Sequence, residues 1–351
     1  MIKPILRQII SYLSISCILI LLFSCVNKSN TNKDHLVFRY NEHANINTLD
    51  PAFSRTLQDT WVCNQLFNGL VQLDSDLNIL PSIAKDWIIS EDGLIYTFNL
   101  RNDVYFHKHK LFGKDSTRTV VAKDFTYSLN RLKDEKIAAP GSWVLNKVER
   151  CKAVNDTVFE ISLKQPFPAF IGLLSMKYCS VIPREVAEFY GTDFRSHPIG
   201  TGPFKLKRWE ENIKLVFRKN NHYFEKDETG KPLPYLEAVA ITFLPDKQSE
   251  FLQFTQGNID FLNSLDASYK DELLTADGKL RGKYEETVDM IRGPYLNTEY
   301  LGFYLGSQTP EIQSELIRKA INFGFDRKKM MIYLRNGIGN PANGGFIDRK
   351  S

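Results

Sequence analysis

Cysteine is scarce in this chain of 351 residues: there are five, at positions 17, 25, 63, 151 and 179. Their wide spacing fits no zinc pattern, and no C-x-x-C pair occurs. H-E-x-x-H and G-x-S-x-G are also missing, so neither a zinc-protease helix nor a nucleophile elbow is written in the sequence. No charge of one sign dominates, with 45 basic against 41 acidic residues. A nucleic-acid footprint would show clustered basic charge, and none is expected here. Beyond the first residues, no apolar run approaches the roughly 20 residues of a spanning helix. With no nucleophile beside a base, an enzyme is not expected.

What is present includes several partial motifs, each with a bland reading beside the chemical one. Asp74-Ser75-Asp76-Leu77-Asn78 opens like a calcium loop, but Ile79 and Lys85 stand where that loop needs Gly and Glu. A polar turn is expected instead. His107-Lys108-His109 could offer two metal ligands, yet no third is nearby, and surface histidines are the expected reading. Gly200-Thr201-Gly202 is followed by Pro203 and a strand rather than a helix, so a turn is expected in place of a phosphate loop. The Glu285-Glu286 pair reads as solvated. No cofactor and no metal site are expected. Aromatic residues make up 12% of the chain, which suits either an aromatic-lined cleft or a Phe-packed core.

The first residues carry Lys3 and Arg7, and Ile9 to Phe23 is a short apolar core. Basic head, short core and small-residue cleavage site make a signal peptide over 1–24. An uncleaved anchor helix is the alternative. The ending Leu22-Phe23-Ser24-Cys25 resembles the lipobox of bacterial lipoproteins, which implies a lipid on Cys25. The polar segment 25–35 reads as a flexible tether. The remaining length calls for more than one domain. Cys63, Cys151 and Cys179 are odd in number, so at least one stays free or pairs between chains; buried structural thiols are expected.

Periodicity predicts strands at Leu36 to Tyr40, Leu94 to Leu100, Ala238 to Leu244 and Ile259 to Leu262. Hairpins are predicted over 148–163, turning at Asn155-Asp156, and over 204–218, turning at Glu210-Glu211-Asn212. Helices are predicted at 60–69, 120–132, 169–174, 249–255, 312–323 and 327–334, the last with Asp326 as N-cap. Strands and helices mix without a strict βαβ repeat, so the fold class is α/β in the mixed α+β sense.

Several blocks, taken in order, resemble the family 5 extracytoplasmic solute-binding proteins, the peptide-binding components of ABC importers. They are Asn47-Thr48-Leu49-Asp50-Pro51, Leu66-Phe67-Asn68-Gly69-Leu70-Val71, and Leu80-Pro81-Ser82-Ile83-Ala84-Lys85-Asp86-Trp87 running on to Val104. Val121-Ala122-Lys123-Asp124-Phe125, Pro198-Ile199-Gly200-Thr201-Gly202-Pro203-Phe204, Gly257-Asn258-Ile259-Asp260 and Arg318-Lys319-Ala320-Ile321-Asn322 complete the set.

The resemblance implies a two-lobed periplasmic-binding-protein-like fold of the class II type. The lobe-one core would use 36–64 and 196–265, and an extra subdomain 65–195. Lobe two would start at 266 and be incomplete at 351, since family members run on for longer. The segment His107 to Thr119 is more basic than the family's turn there. By position, the resemblance implies ligand contacts at Arg55, Thr56, Leu57, Asn263, Tyr295 and Tyr300. Hinge packing is open as the alternative for the tyrosines, and a surface salt bridge for Arg55. The implied protein is a monomer lipid-anchored to the cell envelope and facing outward. It would capture oligopeptides in an interlobe cleft and deliver them to ABC permease subunits with their ATPase. A lipoprotein scaffold that binds nothing, or a binder of nickel complexes, haem or oligosaccharides, stays open beside it.

Overall fold

The computed structural model describes residues 36–344 apart from 264, 267 and 294–297. The leader 1–24, Cys25 with the rest of the tether, and Tyr295 lie outside the described residues. The chain divides into two compact units, the first ending at Pro245 and the second starting at Asp246.

The first unit holds two four-stranded sheets. Strand β1 (Val37–Asn41) opens one of them. Helix α1 (Leu57–Leu66) follows, nearly a turn earlier than periodicity predicts. The cause is local: Thr56 Oγ1 accepts from Asp59 N at 3.1 Å while Asp59 Oδ2 accepts from Thr56 N at 3.4 Å, a reciprocal cap that satisfies two helix-end donors. Replacing Thr56 by alanine is therefore expected to lower stability by about 1 kcal/mol, read as a shift of the urea midpoint at unchanged slope.

After the short pair β2 (Val71–Leu73) and β3 (Ile79–Pro81) comes an antiparallel sheet in the order β4-β5-β7-β6. Its strands are β4 (Ala84–Ile89), β5 (Ile95–Leu100), β6 (Val148–Ala153) and β7 (Val158–Leu163). Strand β5 alternates inward Tyr96, Phe98 and Leu100 with wetter residues, the pattern of a half-buried strand. The β6–β7 turn is closed by Asn155, whose Oδ1 accepts from Thr157 N and Val158 N, both at 2.8 Å. Helix α2 (Ala122–Lys133) buries Phe125, Leu129 and Leu132 in the same core. Asp124 holds its N-terminus by accepting from Val121 N at 2.9 Å.

The other sheet runs in the order β1-β10-β9-β8, with β8 (Phe204–Glu210), β9 (Lys214–Lys219) and β10 (Ala238–Thr242). β1 lies parallel to β10, and the remaining pairs are antiparallel. Its inner face, with Leu215, Phe217, Val239 and Ile241, shares a second core with α1 and with α3 (Arg184–Tyr190). The aromatics largely fill cores: Phe67, Phe98, Phe106, Phe125, Phe159, Phe170, Phe194 and Phe217 are all essentially buried. Cys63 and Cys179 are buried and Cys151 is half-buried, all three free. Burial pushes the Cys151 and Cys179 thiols up to about 12, which keeps them protonated and unreactive.

In the second unit α4 (Lys247–Thr255) is capped by Asp246, and Tyr269 stacks on Phe251 at 4.6 Å between ring centroids. Over Ile259 to Leu262, where a strand is predicted, Phe261 alone takes part in a β-bridge and no strand forms among the described residues. The helix predicted over 312–323 is broken at Ser314, which caps α5 (Glu315–Phe323) with its hydroxyl. Helix α6 (Arg327–Arg335) starts at the predicted cap, Asp326 Oδ1 accepting from Lys329 N at 2.9 Å.

Candidate functional site

The parallel β1–β10 pair sends both following loops off the same sheet edge. In sheets of parallel strands, ligands gather beyond the carboxyl ends. Beyond β10 the chain passes into the second unit; beyond β1 it enters the loop that carries Arg55, Thr56 and Leu57. Asn41 ties the two exits together. Its Nδ2 donates to Leu244 O at 3.0 Å and its Oδ1 accepts from Leu244 N at 2.7 Å. His43 Nδ1 lies 3.3 Å from the same carbonyl. Nothing in the local sequence marks Asn41 or His43, because their partner lies about two hundred residues away.

The loop after β1 is tightly fixed. Asp50 Oδ1 accepts from Ala52 N at 3.0 Å and from Arg131 Nη1 at 3.1 Å, and Asp50 Oδ2 from Arg131 Nη2 at 2.6 Å. Both side chains are nearly inaccessible, 3% and 9% exposed. The pair joins the Thr48-Leu49-Asp50-Pro51 block to α2. Arg195 Nη1 donates to Asn47 O at 3.2 Å, and Asn47 N donates to Asp59 Oδ1 at 2.9 Å. On this rigid base Arg55 is exposed, Leu57 is 56% exposed, and the Thr56 hydroxyl is engaged in the helix cap. These three form one continuous rim. Asn263 and Tyr300 belong to the second unit, both exposed, and Tyr295 lies outside the described residues.

Below the rim the Gly200-Thr201-Gly202 segment lies against the end of α1. Gly202 N donates to Leu66 O at 2.9 Å, and Thr201 Oγ1 donates to Asn68 Oδ1 at 2.9 Å. A Cβ on Gly200 would meet Leu66 O at 2.0 Å, and one on Gly202 would meet Leu66 C at 2.5 Å. The glycines are there so that two backbones can touch.

His107, expected at the surface, is instead 2% exposed within this junction. Its backbone N donates to Gly200 O at 2.7 Å, Gly200 N donates to its Nδ1 at 3.3 Å, and its Nε2 lies 3.1 Å from Gly202 O. A carbonyl can only accept, so Nε2 carries the proton and Nδ1 the lone pair. A second proton would have to face an N–H, and burial adds to the penalty; the ring's pKa falls to about 4.

The sign of the linkage follows. Below its ordinary value of 6.5 the unfolded chain takes up a proton that the folded chain refuses, so stability rises with pH across that window. Between pH 6.5 and 4 His107 alone is expected to withdraw stability on the order of 3 kcal/mol as pH falls. Urea midpoints across that range should fall for the unaltered protein and flatten for His107→Gln; parallel slopes for the two would show that other groups set the profile.

The basic segment 107–119 is tied in through Arg118. It forks to Asp124 at the start of α2, at 2.8 Å on both oxygens, and to Glu185 in α3 at 2.5 and 2.9 Å. Its guanidinium also lies 4.8 Å from the Phe106 ring centre. These pairings hold the Glu185 carboxyl below its usual range. Asp74 accepts from Asp76 N at 2.9 Å and from Asn78 N at 2.8 Å, the polar turn expected there. Among the described residues no group of three His, Cys, Asp or Glu side chains could hold a metal ion.

The mixed α/β architecture is shared with periplasmic binding proteins of known structure. The peptide-bound periplasmic protein DppA of Helicobacter pylori matches with a TM-score of 0.72 at 23% identity, covering 86% of this chain and 58% of that one. NikZ of Campylobacter jejuni, in complex with Ni(L-His), matches at 0.71 and 24% identity, over 87% of this chain and 57% of that one. These likenesses speak for the fold. The sequence profile described as bacterial extracellular solute-binding proteins, family 5 Middle, matches residues 78–349. The chain belongs to this family. The glutathione-binding protein GsiB of Salmonella paratyphi A is 25% identical over 301 residues, 86% of this chain and 54% of that protein. The chain thus spans about half the length of the curated relatives it matches.

Proposed function

We propose that the protein is the solute-binding component of an ABC importer, exported, lipid-anchored through Cys25, and selective for short peptides. Family membership over residues 78–349 carries the reading. Support for peptides comes from relatives named for glutathione and for a peptide complex. In this reading 36–64 with 196–265 form the core of lobe one, 65–195 its extra subdomain, and the second lobe begins at 266. The β1–β10 edge supplies one wall of the cleft. Peptide receptors accept many side chains by bonding the ligand's main chain. The rim Arg55-Thr56-Leu57 is suited to that, with exposed backbone held on a rigid base. Arg55 would draw the ligand carboxylate, Asn263 would line the site near the hinge, and Tyr295 and Tyr300 would contact the ligand from the second lobe. The partners would be permease subunits with their ATPase, and the protein would act as a monomer.

Calorimetry with mixed short peptides tests this. A ligand at a hundred times its Kd raises stability by about 2.7 kcal/mol. Arg55→Ala is expected to weaken peptides with a free carboxylate about tenfold or more without moving the urea midpoint. Heat and thermal shift both absent across peptides of all lengths would defeat the peptide reading. A nickel–histidine complex producing the shift instead would point to the solute named for the Campylobacter jejuni protein.

A further inference from the structure

The end of the β1-β10-β9-β8 sheet opposite the candidate ligand edge carries a concentration of positive charge. Pairing sets Lys205 against Arg218, Arg218 against Ala238, and Ala238 against Val37. These four lie in one row across one face, since directly opposed residues share a face. Lys207 stands at the bulge between Leu206 and Arg208, and Lys219 pairs with Phe204 in the next row. A shallow groove of about 410 Å³ is lined by Lys205, Lys207, Arg218 and Lys219, with Glu237 its single acid. Glu237 is matched by Lys219 at 3.7 Å. Lys205, Lys207 and Arg218 are exposed and have no acidic partner among the described residues.

The chain enters the fold at this same end. Leu36 O accepts from Glu237 N at 2.8 Å, and Val37 is the first residue of β1. Only ten residues lie between Cys25 and Leu36, and even fully extended the eleven steps from one to the other reach no more than about 40 Å. A lipid on Cys25 would therefore keep this basic end near the bilayer, within a few Debye lengths of its surface.

We infer that the Lys205–Lys207–Arg218 face rests on an anionic lipid surface while the anchored protein is not docked on its permease. Acyl chains alone would leave the domain swivelling on its tether; cations against anionic headgroups fix its facing. The inference rests on the lipid-anchor reading for its geometry, but the charged face can be tested without the lipid.

The processed chain from residue 25, carrying Cys25→Ser, would be sedimented with vesicles of mixed phosphatidylglycerol and phosphatidylcholine, and with phosphatidylcholine alone. Binding is expected to the first only, and to fade as sodium chloride is raised. The variant Lys205→Gln/Lys207→Gln/Arg218→Gln should bind about a hundredfold more weakly, from roughly fivefold per cation. The matched control Lys114→Gln/Lys123→Gln/Lys136→Gln, exposed elsewhere on the unit, should bind as the unaltered chain does. Equal binding by both triple variants, equal loss in both, or no preference for the anionic vesicles would overturn the proposal. Acetylation footprinting of the unaltered chain needs no variant to fold: anionic vesicles should slow reaction at Lys205 and Lys207 but not at Lys136, and no slowing would overturn it as well. Because this chain has no acyl group, failure here leaves the lipid anchor standing. Labelled palmitate incorporated into the Cys25 chain but not into Cys25→Ser tests that separately.

Discussion

Alanine at Gly200 or Gly202 is expected to cost about 3 kcal/mol or more, and alanine at both to prevent folding. Overpacking typically costs about 1–3 kcal/mol because side chains and backbone can give a little. Here they have little room to give. The Gly200 Cβ would meet Leu66 O at 2.0 Å and Phe67 Cδ1 at 2.6 Å, and the Gly202 Cβ would meet Gln65 O at 2.6 Å. The first and third of these atoms are backbone of α1. Drawing the segment away would stretch the Gly202 N to Leu66 O bond and strip His107 of its partners. The same substitution at Gly172 should behave oppositely. That glycine is helical, and its Cβ would meet only Ile79 Cδ1 at 3.9 Å, so alanine there should be neutral or stabilising by up to about 1 kcal/mol. Urea midpoints of the three single variants decide the matter. Gly172→Ala and Gly202→Ala moving together would remove the contact with α1 as the cause.

Arg131→Met is expected to lower stability by about 3–5 kcal/mol, because it leaves the Asp50 carboxylate buried without its cation. Removing the charge from both sides should restore part of this. Asp50→Asn keeps an oxygen for the Ala52 N–H, so Arg131→Met/Asp50→Asn should be more stable than Arg131→Met alone. The double variant being the less stable of the two would mean that the carboxylate matters chiefly for the loop rather than for the arginine. Both effects would also be felt at the rim, since Asp50 is the post on which the Arg55-Thr56-Leu57 segment is set.

Local pattern in the sequence was enough for elements whose partners are close by. The hairpins β6–β7 and β8–β9 stand where alternation and turn residues put them, as do the N-cap of α6 and the inward stripe of α2. Strand β4 carries no such stripe, with exposed Lys85, Asp86, Ile88 and Ile89, and it is recognisable only as part of a longer sequence block. Ile259 to Leu262 has the stripe, yet only Phe261 in it reaches a β-bridge. Distance in sequence hides the rest. The burial of His107 depends on carbonyls more than ninety residues later, and that of Asp50 on Arg131 in another element. The glycines of the Gly200-Thr201-Gly202 block looked like a turn because the helix end that forbids side chains there is over a hundred residues upstream.

One consequence follows from the parallel pairing of the first strand with the last strand of its sheet. Among the described residues, 37–41 pair in the sheet with 238–242. A chain made from its amino end at about 5–20 residues per second would leave β1 waiting roughly 10–40 s for that partner. The β4-β5-β7-β6 sheet, complete by residue 163, can close in the meantime. The strand that opens the fold is thus the earliest part made and among the last secured.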